Sequence, residues 1–321
     1  MKATVPLRLK HFPISFLAVP LGLLGFTLAY QKAEEVLACP VALSNYLFGF
    51  TVLVTFAILV AYGIKALTHP QAVRAEFHHP VKLNFFPILA KLFLIASIIL
   101  LHLQPSLSRS LWLIGAVLQF GFTLVIMTAW IQHTRFEIQH INPSWFIPVV
   151  GSIIVPIAGV EHGAREISWF FFSIGIFWWL TLFTIVINRI VFHHPIANKL
   201  VPTLFILFAP PIIGFISLTK LMGTVGAFGN LLYFFGLFLF VLVIAQVRLF
   251  VRLEFYLSWW AYSFPLDALV IGTILMYHAT GRPFFGQLAW GLFAVLNVLI
   301  LFLVGATLRA IALQRICVEE A

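Results

Sequence analysis

Residues 201–219, VPTLFILFAPPIIGFISLT, run without a charged side chain and carry three prolines, Pro202, Pro210 and Pro211. The length suits a helical crossing of a hydrocarbon layer, which takes about 20 apolar residues. The prolines are what a regular helix avoids, because each removes a backbone donor and crowds the preceding turn. Residues 111–131, LWLIGAVLQFGFTLVIMTAWI, are as apolar and hold no proline. The alternation of these two kinds of segment along the chain decides the fold.

Ten such segments are expected, at 12–30, 43–64, 85–103, 111–131, 144–160, 167–187, 201–219, 227–247, 257–277 and 287–308. Every odd-numbered one carries proline: Pro13 and Pro20, then Pro87, then Pro148 and Pro156, then the three above, then Pro265. No even-numbered one does. The tetrapeptide Phe77-His78-His79-Pro80 before the third span returns as Phe192-His193-His194-Pro195 before the seventh. A helical hairpin repeated five times in one orientation accounts for both patterns. Freed backbone groups are tolerated at membrane depth only where they face protein or water. The predicted fold is therefore all-α and integral to the membrane. Five parallel hairpins put the proline-kinked odd helices in an inner ring around a central pore and the straight even helices outside, with residues 1–321 forming one transmembrane channel domain.

Composition agrees. Of 321 residues, 62% are hydrophobic and 9% charged, and mean hydropathy is +1.07. A soluble domain carries about 25% charged residues, so a soluble enzyme or a nucleic-acid binder is excluded despite the formal charge of +9. Lys2, Arg8 and Lys10 lead straight into a segment of spanning length, which reads as a first transmembrane helix and not a cleaved leader. Ten crossings put both ends on one side. That side also gathers Lys65, Arg74, Lys82, Arg135, Arg189, Lys199, Arg248, Arg252, Arg309 and Arg315, whereas the other has Lys32, Arg109, Arg165, Lys220 and Arg282. The positive-inside rule makes the richer side cytoplasmic.

Little conventional chemistry is offered. Two cysteines, Cys39 and Cys317, exclude a disulfide framework. The eleven histidines lack the repeated i, i+3 or i+4 spacing of a membrane metal centre, and their doublets read as caps of the following helices. No metal, cofactor or catalytic residue is expected. Ionisable groups inside a membrane are functional candidates by default, and two lie within the spans, Lys91 and Asp267. Lys91 can lend positive potential to an anion path or serve as a structural lysine. Asp267 is expected to be paired or turned from the axis, because a bare carboxylate repels an anion. As a proton site it would instead suit a transporter. Phe264 stands just before the kink-forming Pro265, where its ring can be aimed at the axis and exclude water from a narrow pore.

The stretch Ser258-Trp259-Trp260-Ala261-Tyr262-Ser263-Phe264-Pro265-Leu266 resembles the ninth-helix signature of the tellurite-resistance/dicarboxylate transporter family. That family takes in the TehA-type tellurite-resistance proteins of bacteria and the slow-type anion channels of plants. Pro20-Leu21-Gly22, His79-Pro80-Val81, Asn84-Phe85-Phe86 and Asn142-Pro143-Ser144-Trp145 are similar to the segments opening its first, third and fifth helices. The resemblance implies a homotrimer in a bacterial inner membrane, each protomer with its own pore. It also implies passive conduction of small inorganic anions such as chloride and nitrate, with a link to tellurite resistance. Phe264 matches the occluding phenylalanine, supported by Pro265 and Pro20. Ser15, Phe16, Ala18 and Phe208 are the expected pore-lining positions, Ser15 falling where a small glycine is matched. The long termini that are phosphorylated in plant members have no counterpart of similar length here. A secondary transporter or exporter of dicarboxylate, sulfite or tellurite-related anions is the alternative.

Overall fold

The computed structural model describes residues 9–132, 136–251 and 253–318. Lys2, Arg8, Arg135 and Arg252 of the charge count lie outside these. The described residues form helices and turns, without a strand. Among the described residues nine helical segments are long and apolar enough to cross a membrane, and a tenth apolar segment is shorter. We number them α1 (Ile14–Val36), α2 (Ser44–Thr68), α3 (Lys82–Leu100), α4 (Pro105–Gln132), α5 (Pro143–Gly159), α6 (Arg165–Phe192), α7 (Asn198–Met222), α8 (Ala227–Ala245), α9 (Leu257–Thr280) and α10 (Pro283–Ala312). Most run past the apolar windows because polar end turns continue the helix into the interface.

The two proline classes become two layers. The long odd helices are buried over 72% to 83% of their apolar windows, and the even helices over 6% to 39%. The odd helices close a ring, α1 against α3, α3 against α5, α5 against α7, α7 against α9 and α9 against α1. Each even helix leans on the odd helix before it, and α4, α6, α8 and α10 also touch the next one round. Leu53, Val117, Phe177, Phe238 and Leu301 are exposed on the outer layer, as a lipid-facing surface requires.

Every inner helix starts as a tight 3₁₀ turn or run: Ile14–Leu17, Lys82–Phe85, Pro143–Trp145, Asn198–Leu207 and Leu257–Tyr262. These starts also meet in a closed ring, so the five inner helices are parallel and begin on one face, called here the near face. The prolines explain the change of helix type. Pro20, Pro148, Pro156, Pro210, Pro211 and Pro265 all fall in the first turn of an α-helical segment, and Pro87 caps one. A first-turn N–H has no intrahelical acceptor, so its loss costs little there. The expected kink is thus a junction from 3₁₀ to α within each inner helix. On the far face Gly223 and Gly281 end α7 and α9 with positive φ, the conformation a helix stop favours in glycine.

Between the layers, small residues and single polar bonds do the joining, as expected where lipid removes the hydrophobic drive between helices. Gly115, Gly175 and Gly236 of outer helices lie against Leu94, Ile153 and Ile212 of inner ones. Trp112 Nε1 donates to the Val155 carbonyl at 2.9 Å, Trp260 Nε1 to Thr307 Oγ1 at 2.9 Å, and Tyr30 Oη to Asn297 Oδ1 at 3.0 Å. The short α5 is broken into four helical pieces. It survives because α3, α4, α6 and α7 surround it and its freed backbone groups never meet lipid.

Candidate functional site

Two cavities lie inside the inner ring, and each is walled by all five odd helices. The near cavity, about 80 Å³, sits at the level of the 3₁₀-to-α junctions, with Ala18, Ile88, Val150, Ala209 and Trp260 in its wall. The far cavity is larger, about 300 Å³, and runs outward past Leu28, Ile98 and Ile271 to a polar rim. Three residues wall both: Ile154, Ile213 and Phe264. The ring axis is therefore an apolar path interrupted at one level by those side chains. Phe264 is the second residue of the α segment that follows the 3₁₀ run of α9, so the junction sets its level.

Two charged side chains lie in the walls away from the far rim. Lys91 is buried in the near cavity, and its Nζ donates to Gln119 Oε1 at 2.9 Å and to the Pro87 carbonyl at 3.3 Å. No salt bridge among the described residues includes it. Asp267 lies one turn beyond Phe264 in the far cavity wall, fully buried, and both carboxyl oxygens lack a hydrogen-bond partner among the described residues. Of the two placements expected from the sequence, a partner is not found among the described residues, and the carboxyl packs against Gly25 of α1. Gly25 makes room for it: a Cβ there would collide with the carboxyl. At the far rim the exposed pairs Lys32–Glu35 and Lys220–Glu161 stand with His102 and His278.

The other expected site residues are spread around this path. Ala18 and Pro265 wall the near cavity. Pro20 is buried in α1 and is not among the cavity-wall residues. Ser15 and Phe16 belong to the 3₁₀ turn of α1 below the near cavity, where Phe16 stacks on Phe12 at 4.3 Å. Phe208 turns away from the axis and packs edge-on to Phe240 of α8 at 5.4 Å, because its position just before the α segment of α7 faces the outer layer. Ile154, Ile213, Gly25 and Gln119 escaped sequence reading. An isoleucine in an apolar helix carries no signal, whereas Gln119, the one amide inside the fourth span, did. The His79 ring accepts from the Val81 and Lys82 backbone N–H groups and caps α3. Among the described residues no three His, Cys, Asp or Glu side chains are grouped to hold a metal ion.

A closed ring of parallel helices around an interrupted axial path defines a membrane transport protein. The chain belongs to the SLAC1 family, described as voltage-dependent anion channels, whose sequence profile matches residues 11–308. It is 28% identical over 312 residues to an uncharacterized transporter of Methanocaldococcus jannaschii, covering 90% of this chain and 91% of that one. It is 30% identical over 277 residues to an S-type anion channel of Arabidopsis thaliana, covering 83% of this chain and 53% of the plant protein. With a tellurite resistance protein TehA homolog of Haemophilus influenzae it shares 25% identity over 283 residues, 84% of this chain and 83% of the other.

Proposed function

We propose that the chain, as a single transmembrane domain, is a passive channel for small monovalent anions, closed at rest by the Phe264 ring. The observation that carries this reading is the position of Phe264 in the walls of both cavities. An apolar ring at a constriction holds a pore shut by keeping water out. The path has few fixed charges, so anions bind weakly in it, and those that shed water easily pass best; nitrate is expected to exceed chloride. The near face is cytoplasmic by its lysine and arginine excess, the membrane is a bacterial inner membrane, and three copies assemble, each with its own path. The likeness to the TehA homolog supports a role in tellurite resistance.

The second reading, a secondary transporter of dicarboxylate, sulfite or tellurite-related anions, has one observation in its favour: the unpartnered Asp267 carboxyl in the far cavity, a place for a coupling proton. Voltage-clamp recording of the expressed protein and of Phe264→Ala, with external chloride, nitrate, sulfite and malate exchanged in turn, separates the two. Nitrate and chloride currents that need no proton gradient support the channel. Malate or sulfite carried better than nitrate, or current that moves with the proton gradient, overturns it.

A further inference from the structure

Lys91 is a buried cation whose partners are all neutral. Taking a charge out of water is costly unless an opposite charge repays it, and no carboxylate among the described residues does so. The surroundings are nonetheless built to hold the ammonium in place. Gln119 reaches inward from the outer helix α4 and is itself fixed, its Nε2 donating to the Pro148 carbonyl at 2.7 Å and to Thr123 Oγ1 at 3.2 Å. That leaves only Oε1 to face Lys91. On the other side stands Gly151 of α5, where any Cβ would fall on the Lys91 Cε and Nζ. An ammonium has three donors. Two are engaged by Gln119 and Pro87, and the group lies in the wall of the near cavity.

We propose that Lys91 Nζ, oriented by Gln119, is the binding site for one small monovalent anion in the near cavity. The inference rests on the channel reading and names where the permeating ion pauses. The cavity of about 80 Å³ holds the volume of a few water molecules, which suits chloride or nitrate with part of its hydration and not a dicarboxylate. The walls around it are apolar, with Ile88, Phe146 and Ile206 close by, so the anion's charge is met at one point. Gln119 is a positioning residue, acting through Lys91.

The first test uses the unaltered full-length protein in detergent. Its melting temperature is measured against sodium nitrate or chloride, with gluconate making up constant ionic strength, since a ligand of the folded state alone raises stability with its concentration. A saturable rise with nitrate and chloride that is absent in Lys91→Gln and retained in Lys91→Arg is expected. No rise in the unaltered protein, or an equal rise in Lys91→Gln, overturns the site. The second test compares nitrate conductance in Phe264→Ala and Phe264→Ala/Lys91→Gln. Half-saturation is expected to move to roughly tenfold higher nitrate or beyond, the loss of one charged hydrogen bond. Gln119→Leu in the same background is expected to shift it in the same direction by less. Unchanged saturation in the double variant overturns the site and leaves the channel standing. A silent Phe264→Ala takes the closing role from that residue, and the stability measurement still decides the site.

Discussion

Gly25 of α1 and Asp267 of α9 compete for one volume: the carboxyl fills the space that a side chain at 25 would need. Overpacking of this kind costs about 1–3 kcal/mol. Gly25→Ala alone is therefore expected to destabilise the detergent-solubilised protein by about that much, and Gly25→Ala/Asp267→Ala to recover most of it. Asp267→Asn alone is expected to be neutral or stabilising, since the carboxyl it replaces is buried without a partner. Thermal melts of the four proteins check both statements. A large loss in Asp267→Asn would show that the carboxyl has an essential partner.

A different buried charge is fully satisfied at the near face. Glu76, on the short helix Pro70–His78, accepts from Lys65 Nζ at 2.8 Å, Tyr62 Oη at 2.9 Å and the Ile14 N–H at 3.3 Å. Lys65 also donates to the Phe12 carbonyl at 2.8 Å and is 1% exposed. The pair ties the start of α1 to the end of α2. Removing one partner leaves a buried charge alone, at about 3–5 kcal/mol. Lys65→Met is expected to lose that much stability, and Lys65→Met/Glu76→Gln to lose clearly less, in melts of both variants.

The two layers were legible because the signal is physical and repeated. Pro20, Pro87, Pro156, Pro211 and Pro265 each sit where a helix changes type, and membrane helices tolerate such changes only away from lipid. The site was legible in part. Phe264 and Lys91 announce themselves by a neighbouring proline and by a charge in an apolar run. Ile154 and Ile213 do not, because periodicity cannot tell the face of an inner helix that meets the axis from the faces that meet its neighbours. Asp267 was expected to be paired or turned from the axis; no partner is found among the described residues, and the absence of a side chain at Gly25 is what leaves its carboxyl room. Lys65 was counted as a loop charge, since its partner Glu76 lies eleven residues on, beyond any helical spacing rule.

The far-face loop supplies a pH dependence. His162 Nε2 lies 3.1 Å from Ser108 Oγ, and its ring centroid is 5.9 Å from that of Trp112. Burial, and then the charge of Arg109, hold its pKa below the ordinary 6.5, against a smaller opposing pull from Glu161. The unfolded chain takes up this proton more readily than the folded one, so stability is full above about pH 6.5 and declines as pH falls below it. Glu161, held below its ordinary 4.5 chiefly by the Lys220 hydrogen bond, adds stability above that value and loses it at lower pH. Melting temperature from pH 7.5 to 5 is expected to fall in the parent and to fall less in His162→Gln. Equal slopes would remove His162 as the cause.

Phe264 bears the strongest prediction. Its ring is large, apolar and unable to hydrate an ion, and it shares the constriction with Ile154 and Ile213. Burial of such a side chain is worth roughly 1.5–3 kcal/mol. If that energy is what keeps water from the constriction, Phe264→Ala raises resting conductance on the order of ten- to a hundredfold, at about 1.4 kcal/mol per factor of ten. Phe264→Leu is expected to fall between, because a smaller apolar group still resists wetting. Ile154→Ala and Ile213→Ala widen the same level from other helices and are expected to give smaller increases. Assembly is expected to persist in all four, since the space opened joins two existing cavities and does not hollow out a sealed core. A phenylalanine that only packs between helices predicts the opposite pair of results, a less stable protein and no current. Bilayer recording with parallel size-exclusion profiles distinguishes the two, and a well-folded Phe264→Ala protein as silent as its parent takes the closing role from this residue.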